Sequence, residues 1–273
     1  MTVDELTAHG GPVAIADVRW YLNEPKRGHH AYHAGHLPGA VYLNLDVHLS
    51  DAEGPGRHPL PAREDFAATM GQKGFGDDQL IVAYDDRGGA IAARLWWMLR
   101  DIGHDDVRVL DGGLAAWVAA EHPTETKPPA RRGATMTVRP SVTRRLDREA
   151  LRGRLGTATL LDARTPERYR GDEEPIDPVA GHIPTALSAS MTENLAEDET
   201  FLDAKVLRER FTRLGVDADT IVYCGSGVNA CHNALAMVRA GLPDPILYPG
   251  SWSDWCTSGE VAVVGSEPGP APA

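Results

Sequence analysis

Short apolar runs and longer periodic stripes alternate along this chain. Val13-Ala14-Ile15-Ala16-Asp17-Val18-Arg19, Leu80-Ile81-Val82-Ala83-Tyr84, Val107-Arg108-Val109-Leu110, Leu160-Leu161-Asp162-Ala163-Arg164 and the β-branched Ile221-Val222-Tyr223 are compact apolar runs, and they predict strands. Val41 to Asp46, where apolar and polar residues partly alternate, predicts one more. Two stripes have helical spacing instead: Ile91, Leu95, Met98 and Ile102, and Cys231, Leu235, Val238 and Leu242, the second closed by Gly241 and Pro243. Strands alternating with helices predict an α/β fold with mainly parallel sheets covered by helices.

The pattern occurs twice. Asp162 follows Asp17 by 145 residues and His182 follows His36 by 146, each inside a similar local sequence. Tyr223-Cys224 follows Tyr84-Asp85 by 139, and Pro249-Gly250-Ser251-Trp252-Ser253-Asp254-Trp255 parallels Asp111-Gly112-Gly113-Leu114-Ala115-Ala116-Trp117. So long a period means two copies of a domain rather than a solenoid. The expected division is a first copy over 1–123, a linker over 124–145 rich in Pro, Thr and Arg, a second copy over 146–262, and a disordered tail over 263–273.

Composition adds limits. The 273 residues suit about two domains, and 42% hydrophobic with 24% charged residues is ordinary for a globular protein. A net charge of −12 argues against nucleic acid or an anionic membrane as partner. No stretch approaches the ~20 apolar residues of a membrane span. Three cysteines and no apolar leader point to a cytoplasmic protein. An acidic protein that handles an anion needs a local positive site.

The candidate chemistry sits in Tyr223-Cys224-Gly225-Ser226-Gly227-Val228-Asn229. Cys224 falls at the carboxyl end of a predicted strand, where open α/β sheets place ligands. The glycines let the backbone curl, so that amides from Gly225 to Asn229 converge at the start of the next helix and favour a thiolate there. Cys224 is therefore the candidate nucleophile. The helical stripe assigns Cys231 to the core. Cys224, Cys231 and His232 match no common zinc spacing, so no metal site is expected. The first copy has Asp85 where the second has Cys224, and only the second is expected to be catalytic.

These residues carry a resemblance. Asp162-Ala163-Arg164, Gly181-His182-Ile183-Pro184, Cys224-Gly225-Ser226-Gly227-Val228, and Asp111-Gly112-Gly113-Leu114 with Trp117 together resemble the tandem-domain rhodanese-type sulfurtransferases, from about Val13 to Trp255. The resemblance implies two rhodanese-like domains, the first inactive. It also implies a Cys224 persulfide that takes sulfur from a small-molecule donor and passes it to a thiol, such as thioredoxin, or to cyanide, with no organic or metal cofactor. Cys-Gly-Ser-Gly-Val, without a basic residue in the loop, is similar to the 3-mercaptopyruvate branch rather than the thiosulfate branch. That branch implies a relay of Asp46, His58 and Ser226, and donor binding by Arg168 together with Gly225, Gly227, Val228 and Asn229.

One departure stands out. The resemblance implies a second donor-binding arginine at about Ile176-Asp177, yet no arginine occurs between Arg170 and Arg208. Either Arg170 substitutes or the donor preference differs, and both arginines have Glu167, Glu173 and Glu174 nearby as surface partners. Thiosulfate as main donor and a non-enzymatic sulfur carrier remain alternatives. A cysteine phosphatase would need an arginine six residues after the nucleophile to grip phosphate, and that residue is Ala230.

Overall fold

The computed structural model describes residues 1–272. Strands β1 (Val13–Asp17), β2 (Val41–Tyr42), β3 (Leu80–Tyr84) and β4 (Val107–Val109) form a parallel sheet in the order β2-β1-β3-β4. Strands β5 (Arg144–Arg145), β6 (Leu160–Asp162), β7 (Ala186–Ser188), β8 (Ile221–Tyr223) and β9 (Ile246–Leu247) form a second, in the order β5-β9-β8-β6-β7, also parallel throughout. β3 and β8 are buried along their whole length, as continuous apolar runs in a helix-covered sheet should be. The α/β expectation holds.

Local differences have local causes. The run from Val41 leaves the sheet after Tyr42, because the Asn44 side chain caps a short helix, Leu45–His48, accepting from the amides of Asp46 (2.8 Å) and Val47 (3.2 Å). Asp46 is therefore a helical residue. In the helix Asn229–Arg239, Cys231 is buried, but Leu235 and Val238 are only half-buried. The deeper face includes the polar residues His232 and Asn233, both bonded by the Asn194 side chain (3.1 and 2.7 Å). A satisfied polar cluster can be buried as deeply as an apolar one, and periodicity of apolar residues does not reveal it. The segment expected as a loose tail is tied at several points: Val263 pairs with His182, the Gly265 amide donates to Arg170 (2.8 Å), and Pro268 accepts from the Thr185 amide (2.6 Å).

The chain separates into two compact units. One holds residues 1–51, 60–142 and 197–201; the other holds 52–59, 143–196 and the chain from Leu202 onward. The loop 52–59 thus belongs with the second sheet, although in sequence it lies between elements of the first unit.

The two copies repeat each other atom by atom. Arg19 grips Asp17 and the Gly35 carbonyl, and Arg164 grips Asp162 and the Gly181 carbonyl. His36 stacks on Tyr32 at 3.9 Å, and His182 on Tyr169 at 3.8 Å. The Tyr84 hydroxyl accepts from the Leu37 amide and that of Tyr223 from the Ile183 amide, both at 3.1 Å.

They part at the loop after the central strand. In the first copy the Asp85 carboxylate folds back and accepts from the amides of Arg87 and Gly89 through one oxygen, and of Ile91 and Ala92 through the other, at 2.8–2.9 Å. This loop is built to surround a negative charge, and here the chain supplies the charge itself. Asp85→Ala should leave these buried donors without an acceptor and cost about 2–5 kcal/mol. Asp85→Asn, which keeps an accepting oxygen, should cost less. Denaturant unfolding checks this, and an unchanged midpoint in Asp85→Ala would mean that water replaces the carboxylate without penalty.

Candidate active site

Cys224 follows the last residue of β8 and is 2% exposed. Its position is fixed from the segment after β9. The Cys224 amide donates to Ser251 Oγ (3.1 Å), the Cys224 carbonyl accepts from the Trp252 amide (2.9 Å), and the Gly225 carbonyl accepts from the Ser253 amide (2.9 Å). Gly227 makes the turn possible at φ 77°, and a Cβ there would lie 2.4 Å from the Pro249 carbonyl oxygen. Val228 leads into the helix that begins at Asn229. Among the described residues, none accepts from the amides of Gly225, Ser226 or Val228. Ser226 and Val228 match Arg87 and Gly89, whose amides in the first copy hold the Asp85 carboxylate. The two amides that hold one oxygen of the Asp85 carboxylate in the first copy thus have, at the matching positions of the second, no protein acceptor among the described residues.

The other cysteines are placed differently. Cys231 is fully buried with its thiol donating to the Gly227 carbonyl at 3.3 Å, a packing role that braces the loop. Burial, with the nearby charge of Asp177, pushes the Cys256 thiol up, away from the ionised form a nucleophile needs.

Ser226 is bonded to His58: Oγ and Nδ1 are 2.8 Å apart, and both residues are buried. His58 arrives on the loop 52–59, which lies against the segment after β9. The Arg57 amide donates to Ser253 Oγ (2.9 Å), and Gly56, at φ 80°, approaches so closely that a Cβ would stand 2.4 Å from the Gly250 carbonyl oxygen. Asp46, expected as the third member of the relay, lies in the other unit, where its carboxylate accepts from Trp20 Nε1 at 2.7 Å.

Positive charge reaches the loop by an alternating line of ion pairs. Arg164 is forked onto Asp162 and reaches Glu174 (3.3 Å). Burial alone would push the Arg164 guanidinium down, but the charge of Asp162, its hydrogen bond to that carboxylate and the charge of Glu174 more than offset this and hold it above its ordinary value. Glu174 also accepts from Arg168 (2.7 Å), and Asp177 accepts from Arg168 Nη2 (3.0 Å) and Arg57 Nη1 (2.7 Å). Arg168 Nη1 and Arg57 Nη2 are 3.3 and 3.2 Å from the point where a Cβ on Gly225 would stand. Arg168 thus has the acidic partner Glu174 that the surface reading allows, but it is largely buried and its remaining nitrogen faces Gly225. Arg170 is bonded to Asp172 (2.7 Å) and Glu167 (3.5 Å) on the surface.

Sequence reasoning passed over Arg57, Glu174 and Asp177 as site residues. The one signal for Arg57 was its place beside His58 in a Gly/Pro-rich loop.

A family profile for the rhodanese-like domain matches residues 2–120 and 147–258. Two bacterial relatives align over 90% and 89% of this chain. A Mycobacterium tuberculosis protein provisionally named thiosulfate sulfurtransferase SseB is 46% identical over 88% of its length. A Pseudomonas aeruginosa protein provisionally named 3-mercaptopyruvate sulfurtransferase is 44% identical over 89% of its length. The chain belongs to the rhodanese family of sulfurtransferases. Its fold matches the crystal structure of SseA from Escherichia coli, described as a 3-mercaptopyruvate sulfotransferase, with a TM-score of 0.81 and 31% identity over 93% of this chain and 98% of that one. Within this rhodanese, Gly227→Ala should displace the loop from Pro249, with a stability loss of about 1–3 kcal/mol and a larger proportional loss of activity. Activity and unfolding measured together check this; full activity would show that the turn tolerates a side chain.

Proposed function

We propose that this sulfurtransferase takes sulfur from 3-mercaptopyruvate onto Cys224 and passes it to a thiol, such as that of thioredoxin, or to cyanide. The observation that carries the donor choice is the bond between His58 and Ser226, inside a loop that has no cationic side chain of its own.

The Cys224 thiolate attacks the donor sulfur. A sulfur–sulfur bond forms as the carbon–sulfur bond breaks, and the electron pair leaves on the pyruvate enolate, which takes up a proton to become pyruvate. The negative charge of the persulfide is met by the amides of Gly225, Ser226 and Val228, with Gly227 and Asn229 shaping the loop and the first helical turn. The Ser226 hydroxyl donates to the substrate carbonyl as the enolate develops, and His58 moves the proton. Arg168 binds the donor's anionic group. An acceptor thiolate or cyanide then attacks the outer sulfur and returns Cys224 as thiolate. Asp46 is the expected third member of the relay, and Asp46→Asn should lower the mercaptopyruvate rate with little effect on discharge of a ready-made persulfide.

Thiosulfate is the second reading, since two guanidiniums close to Gly225 also suit a dianion, and the Mycobacterium tuberculosis relative carries that name. Steady-state comparison of the two donors separates them. Mercaptopyruvate should have the higher kcat/KM, and Ser226→Ala should depress its reaction more than that of thiosulfate, which has no carbonyl to polarise. Cys224→Ser should abolish transfer from both, and mass spectrometry should find one added sulfur on the Cys224 peptide of the donor-treated protein. Sulfur on Cys231 or Cys256 instead would overturn the nucleophile. Thiosulfate preferred by the wild type, with equal losses in Ser226→Ala, would overturn the donor.

A further inference from the structure

We propose that Arg57, on the loop 52–59, is a donor-binding residue that acts with Arg168 as a two-guanidinium clip for the donor's carboxylate beside Cys224. This rests on the reading of mercaptopyruvate as donor and adds a residue to it.

The first ground is what Arg57 leaves unused. Its Nη1 bonds Asp177 at 2.7 Å, while Nη2 has no partner and Nε is buried without an acceptor. A guanidinium serving only as a structural tie would have no reason to bury Nε without an acceptor while leaving Nη2 open to a ligand. Arg168 is in the same state, with Nε and Nη2 on Glu174 and Asp177 and Nη1 unpaired.

The second ground is where the unused ends point. Arg57 Nη2 and Arg168 Nη1 approach one point, the Cβ direction of Gly225, at 3.2 and 3.3 Å. Gly225 adjoins the nucleophile, and its missing side chain leaves room there. Two guanidinium nitrogens at that spacing each have a hydrogen for one oxygen of a carboxylate.

The third ground is that the pair is held in place. Asp177 gives Oδ1 to Arg57 and Oδ2 to Arg168, so one carboxylate orients both guanidiniums from behind. Nor is the Arg57 side chain needed to seat its loop. The Arg57 amide on Ser253 and the close approach of Gly56 to Gly250 already do so.

The test uses the full-length protein and three measurements: steady-state kinetics with each donor, competitive inhibition by pyruvate, and discharge to cyanide of Cys224 preloaded with polysulfide. Arg57→Ala should raise KM for mercaptopyruvate and the pyruvate inhibition constant together, by roughly tenfold to a hundredfold, with kcat and persulfide discharge within a few fold of wild type. Arg57→Lys should recover part of the loss, because it restores charge but not the planar fork. Arg57→Met, which keeps the aliphatic stem, carries the same expectation if Arg57→Ala unfolds at a lower temperature. An unchanged KM and pyruvate constant would overturn the proposal, as would equal losses in donor use and persulfide discharge, which would mark a displaced loop. Preference of the wild type for thiosulfate would defeat the donor reading alone. Arg57 would then stand as a donor-binding residue, gripping sulfonate-type oxygens in place of a carboxylate, if Arg57→Ala raised the thiosulfate KM, and fall if it did not.

Discussion

Charge withdrawn from water has to meet opposite charge, and in the second unit six side chains meet that condition in one line: Asp162, Arg164, Glu174, Arg168, Asp177 and Arg57. The line starts at the end of β6 and finishes at the loop that carries Cys224. Glu174 and Asp177 each serve two guanidiniums, so none of the three arginines can turn without breaking a pair. An acidic protein thereby sets two cations beside Gly225, the residue after Cys224. The neutrality of the line also keeps the buried segment tolerable before any substrate arrives.

The second organising feature is the loop after the central strand, which occurs twice with opposite fates. In the first copy its amides are occupied by Asp85, so that half is an anion site permanently closed by its own side chain. In the second copy the corresponding residue is Cys224, too short and too differently charged to fold back in that way. The comparison is internal to one molecule: the same loop is filled by its own carboxylate in one half and left open in the other.

Much of this was legible in the residues alone. β3, β8 and the two long helices announce themselves because a continuous apolar run and a 3.6-residue stripe survive in one dimension. Cys224 stands out as a candidate because a glycine-flanked cysteine after a strand has few other uses, whereas Ser226 is singled out only through the family resemblance. What escaped has a common cause. Strands β5, β7 and β9 have two or three residues each, too few to show a period. Arg57, Glu174 and Asp177 are ordinary charged residues whose meaning lies in partners up to 120 positions away. A relocated arginine looks like a missing one until the loop that brings it has been placed.

The loop 52–59 is a loan from one half of the chain to the other, and it makes the duplication irreversible. A fragment beginning at Thr143 would contain the cysteine loop and the whole second sheet, yet lack His58 and Arg57, since Ser226 and its histidine are 168 residues apart. During synthesis those two residues emerge long before the strand they serve, and have to wait for it. A half of the chain can thus be needed for what a single excursion of its backbone supplies to the other.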